Sequence, residues 1–526
     1  GPVHQAGSAA AATAAAAGDE ITFTGHGWGH GRGMGQYGAL GYALDHGWGY
    51  GRILSHYYGG TELTTLPSDR PMSVEITRLT GSDTIVQGWD LTVAGIPVPG
   101  SGFDYLRVRA AGDGTFRADS GTGCGGPWVE FGGVLPSGLG IVATRDQGQD
   151  ANLIRTCEAT TSVGYRGTMR VVAAAGTRYT INDLPTETYL RGVVPRESPA
   201  SWGSLGSGRG MEALKAQSVA ARSYVLASTG RSSGALTCDT TACQVYGGAV
   251  TASGHGPGAT LTPLEQVNTN VAINATARQV MRFPSGAIAR TEYRSSTGGW
   301  TAGGVFPAVQ DLGDSVRQNP NHVWTVSLTE SQIATRLGLS GIRSVTVTAR
   351  NGLGDLGGRV LSVAVVDGGG VTHTYTGGQF RTAMGTATFK SDWFAVASVS
   401  RAEAEAVVKA LYQDLLGRAV DPDGLRTWSS RLMTGTSQSE LVGTLTRSEE
   451  YVRLRITQAY QDVLGRAPEP AGMAHWYDRI MQGRASVDDV KRRFYDSQEY
   501  YLRSGGTDTG YITLLYRTMF EREGSA

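Results

Sequence analysis

One glutamate in this chain stands where a general acid could be built. Glu197 ends the run YLRGVVPRE (residues 189–197), which follows a β-like segment and precedes a segment of helical periodicity. A carboxyl group on a loop between a strand and a helix can be partly removed from water, and this raises its pKa towards the working range of a general acid. Glu197 is therefore the candidate catalytic residue. The alternative is a loop glutamate without a chemical role.

The neighbouring Arg196 bears on this hypothesis. If its guanidinium pointed at Glu197, the positive charge would lower the pKa of the carboxyl and weaken it as an acid. The direction of the Arg196 side chain therefore decides how well Glu197 can donate a proton.

Polar side chains on glycine-flanked loops and on the following helix could contact a sugar, because hydroxyl and amide groups suit sugar hydroxyls and acetamido groups. The candidate substrate contacts are Gln217, Arg222 and Tyr224 on the predicted helix, His26, His30 and Gln36 in a glycine-rich block, and Gln244, Tyr246, Ser295, Ser296 and Thr297 on loops. The alternatives are a solvated helix face for the helix residues, turns in which Ser and Thr bond their own backbone, and the packing of a tight loop.

Charge and hydropathy exclude two classes of partner. The 526 residues carry 46 basic and 46 acidic side chains, and the basic residues form no stripe of the kind that binds nucleic acid. No apolar stretch approaches the ~20 residues that span a bilayer, so no transmembrane segment is expected. An uncharged sugar polymer suits this surface better.

The elements that must position these residues fall into two regions. Short alternating runs such as residues 72–77 and 169–173 predict strands from Arg70 to about Phe394, with 76 glycines in the whole chain favouring many turns. Residues 211–228 are the exception, because their apolar spacing predicts a helix. From about Ser400 helical periodicity takes over, and residues 410–418 recur as 459–466. The prediction is an α+β fold, with a β-rich body followed by an all-α repeat domain.

The four cysteines allow three pairings if all are bridged. Pairing of neighbours predicts disulfides Cys124–Cys157 and Cys238–Cys243. Export to an oxidising compartment favours this arrangement. The alternative at Cys238 and Cys243 is a Zn²⁺ site completed by a histidine such as His255. No other metal or cofactor is expected.

Several motifs together resemble the stage II sporulation protein D family, which includes the LytB amidase enhancers. The run at residues 189–197, the helix EALKAQSVAARSY (212–224), CQVYG (243–247) and YRSSTGG (293–299) carry the resemblance, as do YRG (165–167), FR (380–381) and residues 391–394. The block GHGWGHGRGMGQYGA (25–39) and ILSHYYG (53–59) are also similar to this family, but they precede the body instead of following its last strand. The resemblance thus implies a circularly permuted SpoIID-like catalytic domain.

By this resemblance the protein would be a lytic transglycosylase of peptidoglycan glycan strands, including strands stripped of stem peptides. Glu197 would protonate the bond between N-acetylmuramic acid and N-acetylglucosamine, and then deprotonate the muramoyl 6-hydroxyl to give a 1,6-anhydro end. Such a secreted, wall-associated enzyme needs one carboxylate. Two alternatives are a non-catalytic enhancer of an N-acetylmuramoyl-L-alanine amidase, with that amidase as a partner, and a glycan-binding anchoring protein.

The predicted organisation has four parts. Residues 1–19 are a cleavage scar and Ala-rich linker, 20–62 the permuted Gly-His-Gly block, 63–398 the catalytic body, and 399–526 a helical domain of two units and a truncated third. The helical units resemble a domain of unknown function found on bacterial extracellular proteins, through LLGRAVDPDGL (415–425) and Trp428.

Overall fold

The computed structural model describes residues 20–100, 102–159, 161–397, 401–433 and 436–520. The predicted linker at residues 1–19 lies outside the described residues. Sheets dominate from residue 20 to residue 396, and every regular element described from residue 401 onward is helical. The predicted α+β class, a β-rich part followed by a helical part, is confirmed.

The strands are, in chain order, β1 Glu20–His26, β2 Met34–Gly35, β3 Glu62–Thr65, β4 Pro71–Glu75, β5 Thr84–Trp89, β6 Leu91–Val93, β7 Ile96–Pro97, β8 Phe103–Gly112, β9 Thr115–Gly121, β10 Trp128–Leu135, β11 Leu139–Ala143, β12 Ile154–Thr156, β13 Thr161–Tyr165, β14 Thr168–Ala174, β15 Thr177–Pro185, β16 Thr237–Cys238, β17 Val250–Ser253, β18 Thr260–Pro263, β19 Gln279–Arg282, β20 Tyr293–Arg294, β21 Val323–Thr329, β22 Ile342–Arg350, β23 Val360–Asp367, β24 Thr372–Tyr375 and β25 Phe394–Val396.

The α-helices are α1 Gln36–Leu44, α2 Tyr50–Tyr57, α3 Thr186–Arg191, α4 Val194–Glu197, α5 Met211–Leu226, α6 Val267–Ala275, α7 Glu330–Leu337, α8 Gly377–Met384, α9 Arg401–Leu416, α10 Pro422–Met433, α11 Gln438–Thr446, α12 Glu449–Ala459, α13 Pro470–Met481, α14 Val487–Tyr495, α15 Gln498–Arg503 and α16 Asp508–Phe520. The predicted helix at 211–228 corresponds to α5, and the two named strand predictions correspond to β4 and β14.

Two mainly antiparallel sheets form the body. Their strand orders are β10-β9-β8-β5-β12-β13-β17-β18 and β16-β4-β15-β14-β11-β6-β7. Alternate residues of each strand point inward, so Val86 and Leu106 from the first sheet share one hydrophobic core with Ile141 and Val171 from the second. The strand that ends at Pro185 leads out of this core directly into α3 and α4.

Helix α5 is the centre of a second core. Most of its residues are buried, including its alanines and Leu214, and it packs with Leu40 of α1 and Leu54 of α2. The buried residues of α5 include Gln217 and Arg222 as well as its apolar side chains. Polar side chains on α5 are therefore held inside the protein.

The glycine-rich N-terminal block closes onto the end of the body. Strand β1 lies between β21 and β25 in a three-stranded sheet, and β2 pairs in parallel with β20. Gly27 and Gly33 of this block adopt φ values of +76° and +70°, which favour glycine. A Cβ at Gly33 would lie 1.9 Å from the carbonyl oxygen of Glu292, so only glycine permits this approach.

The two similar segments of the helical region make matching contacts. Arg418 pairs with Glu450 and lies over the ring of Tyr412. In the next unit Arg466 pairs with Glu499 and lies over the ring of Tyr460. Each unit also has its own hydrophobic cluster, with Tyr412 and Tyr460 buried in their respective clusters.

Both predicted disulfides are present. Cys124 bonds to Cys157, and Cys238 bonds to Cys243, with Cα–Cα distances of 5.6 and 5.5 Å. Nε2 of His255 donates to the backbone carbonyl of Glu158 at 2.7 Å. Of the two alternatives at Cys238 and Cys243, the disulfide is the one observed. In the described part of the chain, no helix is both long and apolar enough to cross a membrane.

Candidate active site

Glu197 is held by a short, firmly anchored turn. It ends the one-turn helix α4 between α3 and α5, and the N–H of Ser198 donates to the carbonyl of Val194 at 2.9 Å. Val193 and Val194 are fully buried, whereas Glu197 itself is half-buried. The apolar residues thus fix the turn, and the carboxyl group extends from it to the boundary between protein and solvent.

Burial is the main influence on the acidity of Glu197. It raises the pKa of the carboxyl, because the charged form loses solvation. The side chains of Tyr293 and Gln36 and the backbone of Val245 oppose the rise by hydrogen bonding to the carboxylate, and Arg294 opposes it by its charge. The net direction is upward, as a general acid requires.

Arg196 does not have the effect that its place in the sequence suggested. Its side chain is exposed and lies against Gly247, where an added Cβ would stand 2.6 Å from a guanidinium nitrogen. The arginine that acts most on the pKa of Glu197 is Arg294. Because the pKa of Glu197 is raised, Arg196 does not remove its capacity to donate a proton.

Two glutamines from distant segments meet beside this turn. Gln36 is the first residue of α1, and its Nε2 donates to Oε1 of Gln217 on α5 at 3.3 Å. The hydroxyl of Ser198 donates to the same oxygen at 3.4 Å. Gln36 therefore connects the glycine-rich block to the residue next to Glu197.

A second network approaches Glu197 through Tyr293. The Tyr189 hydroxyl donates to Oε1 of Gln244 at 3.0 Å, and Nε2 of Gln244 donates to the Tyr293 hydroxyl at 3.0 Å. Since that hydroxyl accepts from Gln244, its own hydrogen is available to Glu197. Burial and the nearby Glu197 raise the pKa of Tyr293 well above its ordinary value, so the phenol stays neutral and remains a donor.

Of the predicted contacts, Gln36, Gln217 and Gln244 are therefore brought together around Glu197. Sequence reasoning did not single out Tyr293, Arg294 or Tyr189 as site residues. Tyr189 and Tyr293 are the first residues of two of the quoted motifs, which was the available signal. Tyr293 reaches the site through the pairing of β2 with β20, and Tyr189 through the turn after β15. No local sequence pattern shows either arrangement.

The sequence predicted Arg222 as a substrate contact, but the structure places its side chain inside the protein. Its side chain has no exposed surface and forms a two-bond ion pair with Glu187 at 2.8 and 2.7 Å. A further nitrogen donates to the carbonyl of Gln279 at 3.0 Å. Arg222 thus joins α5, α3 and β19 inside the protein.

Tyr224 and Tyr246 also have other partners. Nη2 of Arg290 donates to the Tyr224 hydroxyl at 2.7 Å, and its guanidinium lies over the ring. Tyr246 is buried, and its hydroxyl donates to Oδ1 of Asn182 at 2.8 Å. The ring of Tyr246 lies beneath the site, against Tyr189.

Two buried aspartates, Asp311 and Asp314, accept hydrogen bonds from the loop at residues 295–297. Ser296 donates to both carboxylate oxygens of Asp314 at 2.8 Å, and Thr297 donates to Oδ2 of Asp311 at 2.6 Å. Ser296 and Thr297 are buried, while Ser295 is half-buried and accepts from Asn321 at 3.1 Å. These hydroxyls therefore position the segment that carries Tyr293.

The two predicted histidines lie in different surroundings. Burial and the charge of Arg294 lower the pKa of His30 to about 3. Burial lowers the pKa of His26 to about 4, where its ring lies 5.0 Å from that of Trp393. Both imidazoles are neutral near pH 7. The charge of Arg294 acts on both His30 and Glu197, so His30 lies near the candidate active site. His26 faces the helical region instead.

Comparisons with known proteins find similarity in the region that contains this site. Residues 174–283, which include Glu197, Gln217 and Gln244, match the family described as Stage II sporulation protein. Residues 386–455 match a family described as a domain of unknown function. The resemblance inferred from the motifs is confirmed for both regions.

Two curated proteins illustrate the similarity. The amidase enhancer of Bacillus subtilis (strain 168) is 35% identical over 153 residues, which cover 28% of this chain and 18% of that protein. An uncharacterized protein of Brachyspira hyodysenteriae is 36% identical over 89 residues, covering 16% of this chain and 22% of the relative. The matches thus span about a fifth of each relative. No solved structure matches significantly.

Proposed function

Because the chain carries a stage II sporulation protein domain with a half-buried glutamate in its motif, we propose that it is a peptidoglycan lytic transglycosylase. Glu197 acts first as the acid and then as the base. The observation that carries the proposal is the raised pKa of Glu197 together with the neutral donors Tyr293 and Gln36 beside it.

The proposed reaction needs no water. Glu197 donates its proton to the oxygen that links N-acetylmuramic acid to N-acetylglucosamine, and the bond from that oxygen to the anomeric carbon breaks. The carboxylate then takes the proton of the muramoyl 6-hydroxyl, whose oxygen bonds to the anomeric carbon. The products are a 1,6-anhydromuramoyl end and a free N-acetylglucosamine end. An intramolecular nucleophile of this kind replaces the second carboxylate of most glycosidases.

The surroundings of Glu197 suit both halves of this cycle. Burial favours the protonated form that begins the reaction. After proton transfer, Tyr293, Gln36 and the N–H of Val245 stabilise the carboxylate. The charged side chain with the largest influence on Glu197 is Arg294, which also favours the carboxylate. The site thereby supports both the protonated and the ionised form of Glu197.

A second candidate function is supported by the relative named as an amidase enhancer. In that case the protein binds a cell-wall amidase and raises its activity without cleaving glycan itself. Under both proposals the protein acts outside the cytoplasm, since two disulfides favour an oxidising compartment.

The test is a digest of purified glycan strands, with and without stem peptides, analysed by mass spectrometry. The wild type is compared with Glu197→Gln and with Glu62→Gln, which changes an exposed glutamate on β3. Anhydromuramoyl products from the wild type and Glu62→Gln, but not from Glu197→Gln, support the transglycosylase. If no protein yields fragments, that activity is refuted. Stimulation of an added N-acetylmuramoyl-L-alanine amidase would then support the enhancer.

A further inference from the structure

A polar cavity lies between the body and the first helical unit. Its volume is about 270 Å³. The body contributes residues of β1, the start of β21 and the loop at 355–356, and the helical region contributes residues of α10 and the start of α11; the lining is Thr24, His26, His322, Val323, Asp355, Leu356, Thr427, Ser430, Arg431, Thr436 and Glu440. Glu197 and its partners do not line it, so the cavity is separate from the candidate active site.

The two regions are in direct contact at this cavity. The hydroxyls of Thr325 on β21 and Ser430 on α10 share a hydrogen bond at 3.1 Å. Thr325 is the pairing partner of Thr24 across β1 and β21. One wall of the cavity is therefore a sheet of the body and the other is a helix of the first repeat.

Two of the residues that line this cavity each have a buried polar atom without a hydrogen-bond partner in the described structure. Thr24 is 1% exposed, and its hydroxyl makes no hydrogen bond within the described structure. Nδ1 of His26 is likewise buried and unbonded there. Buried polar groups are ordinarily satisfied, so a ligand group that reached either atom would complete its hydrogen bonding.

The loop that forms one side of the cavity is strained. Leu356 has φ of 61° and ψ of 14°, a left-handed conformation that bulky residues rarely adopt. The loop is nevertheless held, because Nε1 of Trp393 donates to the carbonyl of Asp355 at 3.0 Å. Such strain persists where surrounding structure imposes it, often at ligand sites.

The charges of the lining select the class of ligand. Asp355 and Glu440 can accept hydrogen bonds, Arg431 can donate them, and Thr24 and the neutral His26 can do either. Sugar hydroxyls both donate and accept, so they suit all of these groups at once. An anion would meet two carboxylates, and a cation would meet Arg431. The volume is below that of typical pockets for drug-sized molecules, and it admits about one sugar ring.

We propose that this cavity is a second ligand site, which binds a single neutral sugar residue and joins the body to the first helical unit. The inference goes beyond the proposed function, because it requires no catalysis at Glu197. Ligand bound here contacts both regions and stabilises their association.

The experiment is calorimetric titration of the whole protein with N-acetylglucosamine and with glucose, together with the melting temperature at each sugar concentration. Saturable binding of at least one sugar is expected, with a melting temperature that rises with sugar concentration. Thr24→Val on the body side and Glu440→Gln on the helical side should each weaken binding about tenfold or more. Thr24→Val should not lower the melting temperature of the free protein, since it removes a hydroxyl without a partner.

Two controls separate this site from the candidate active site. Glu449→Gln changes an exposed glutamate on α12 and should bind as the wild type does. Glu197→Gln should also bind normally, whether or not the protein is a transglycosylase. The proposal is overturned if neither sugar binds, if Thr24→Val and Glu440→Gln bind like the wild type, or if Glu197→Gln abolishes binding. Binding of glycine or acetate without binding of sugar also overturns it.

Discussion

Nε2 of Gln36 donates to Oε1 of Gln217 at 3.3 Å, although 181 positions separate the two residues. This contact joins the start of α1 to the middle of α5, next to the turn that carries Glu197. The glycine-rich block is therefore part of the candidate active site. Its proposed contribution is the Gln36 amide, which favours the carboxylate form of Glu197.

Replacement of Gln36 by Ala should lower kcat for glycan cleavage about tenfold, because the carboxylate formed after proton transfer loses one donor. The free energy of unfolding should fall by only about 1 kcal/mol. Product formation measured by mass spectrometry and chemical denaturation test the two effects. Gln149→Ala, in an exposed loop, is the matched control. Unchanged cleavage by Gln36→Ala would remove Gln36 from the site.

Tyr293→Phe retains the ring and removes the hydroxyl that favours the Glu197 carboxylate. The pKa of Glu197 should therefore rise further, and the fall in activity at high pH should move to higher pH. We also expect kcat to drop about tenfold, since one hydrogen bond to the carboxylate is lost. The pH–rate profile of each protein measures both effects. A downward movement of the alkaline limb would contradict the assigned role.

Glu197→Gln should be more stable than the wild type near neutral pH. In the unfolded chain Glu197 loses its proton near the ordinary pKa of about 4.3. The folded protein holds the proton to higher pH, because burial raises the pKa of this carboxyl. Wild-type stability therefore declines as pH rises through this window, and the glutamine variant lacks that decline. Denaturation at about pH 4 and pH 7 tests this, and an advantage found only at the lower pH would exclude it.

Arg222→Ala should lower the free energy of unfolding by about 3–5 kcal/mol, because it leaves Glu187 without its buried partner. Arg290→Ala removes an arginine that lies over Tyr224, and should cost about 0.5 kcal/mol or less. Thermal unfolding of both variants makes the comparison. If Arg222→Ala retains its stability and loses only glycan binding, Arg222 is a substrate contact after all.

Asp311 should make the protein's stability depend on pH near neutrality. Burial and the neighbouring Asp314 raise the pKa of Asp311 to about 7, whereas the ordinary value is about 3.9. Stability is therefore lost as pH rises from the lower to the higher value. Asp311→Asn should weaken this dependence, since the amide does not ionise. Unfolding free energies from about pH 5 to pH 8 test it, and parallel curves for the two proteins would refute it.

The sequence alone was sufficient for features that depend on local pattern. The helical spacing of residues 211–228 predicted α5, and the recurrence of residues 410–418 predicted two similar helical units. The motif at residues 189–197 identified Glu197 as the candidate acid and indicated the family. Pairing of neighbouring cysteines was also correct. These predictions depend on the order and spacing of residues along the chain.

Only the tertiary structure decided which polar groups surround Glu197. Arg222 and Gln217 lie on the same helix, yet Arg222 is bound to Glu187 in the interior and Gln217 faces Ser198. Tyr293 reaches the site because its strand pairs with Met34, 259 positions away by sequence, and that pairing also fixes Gln36. Side-chain direction follows from packing and from long-range strand pairing, since most buried polar groups find a partner. Residue types and local spacing do not contain that information.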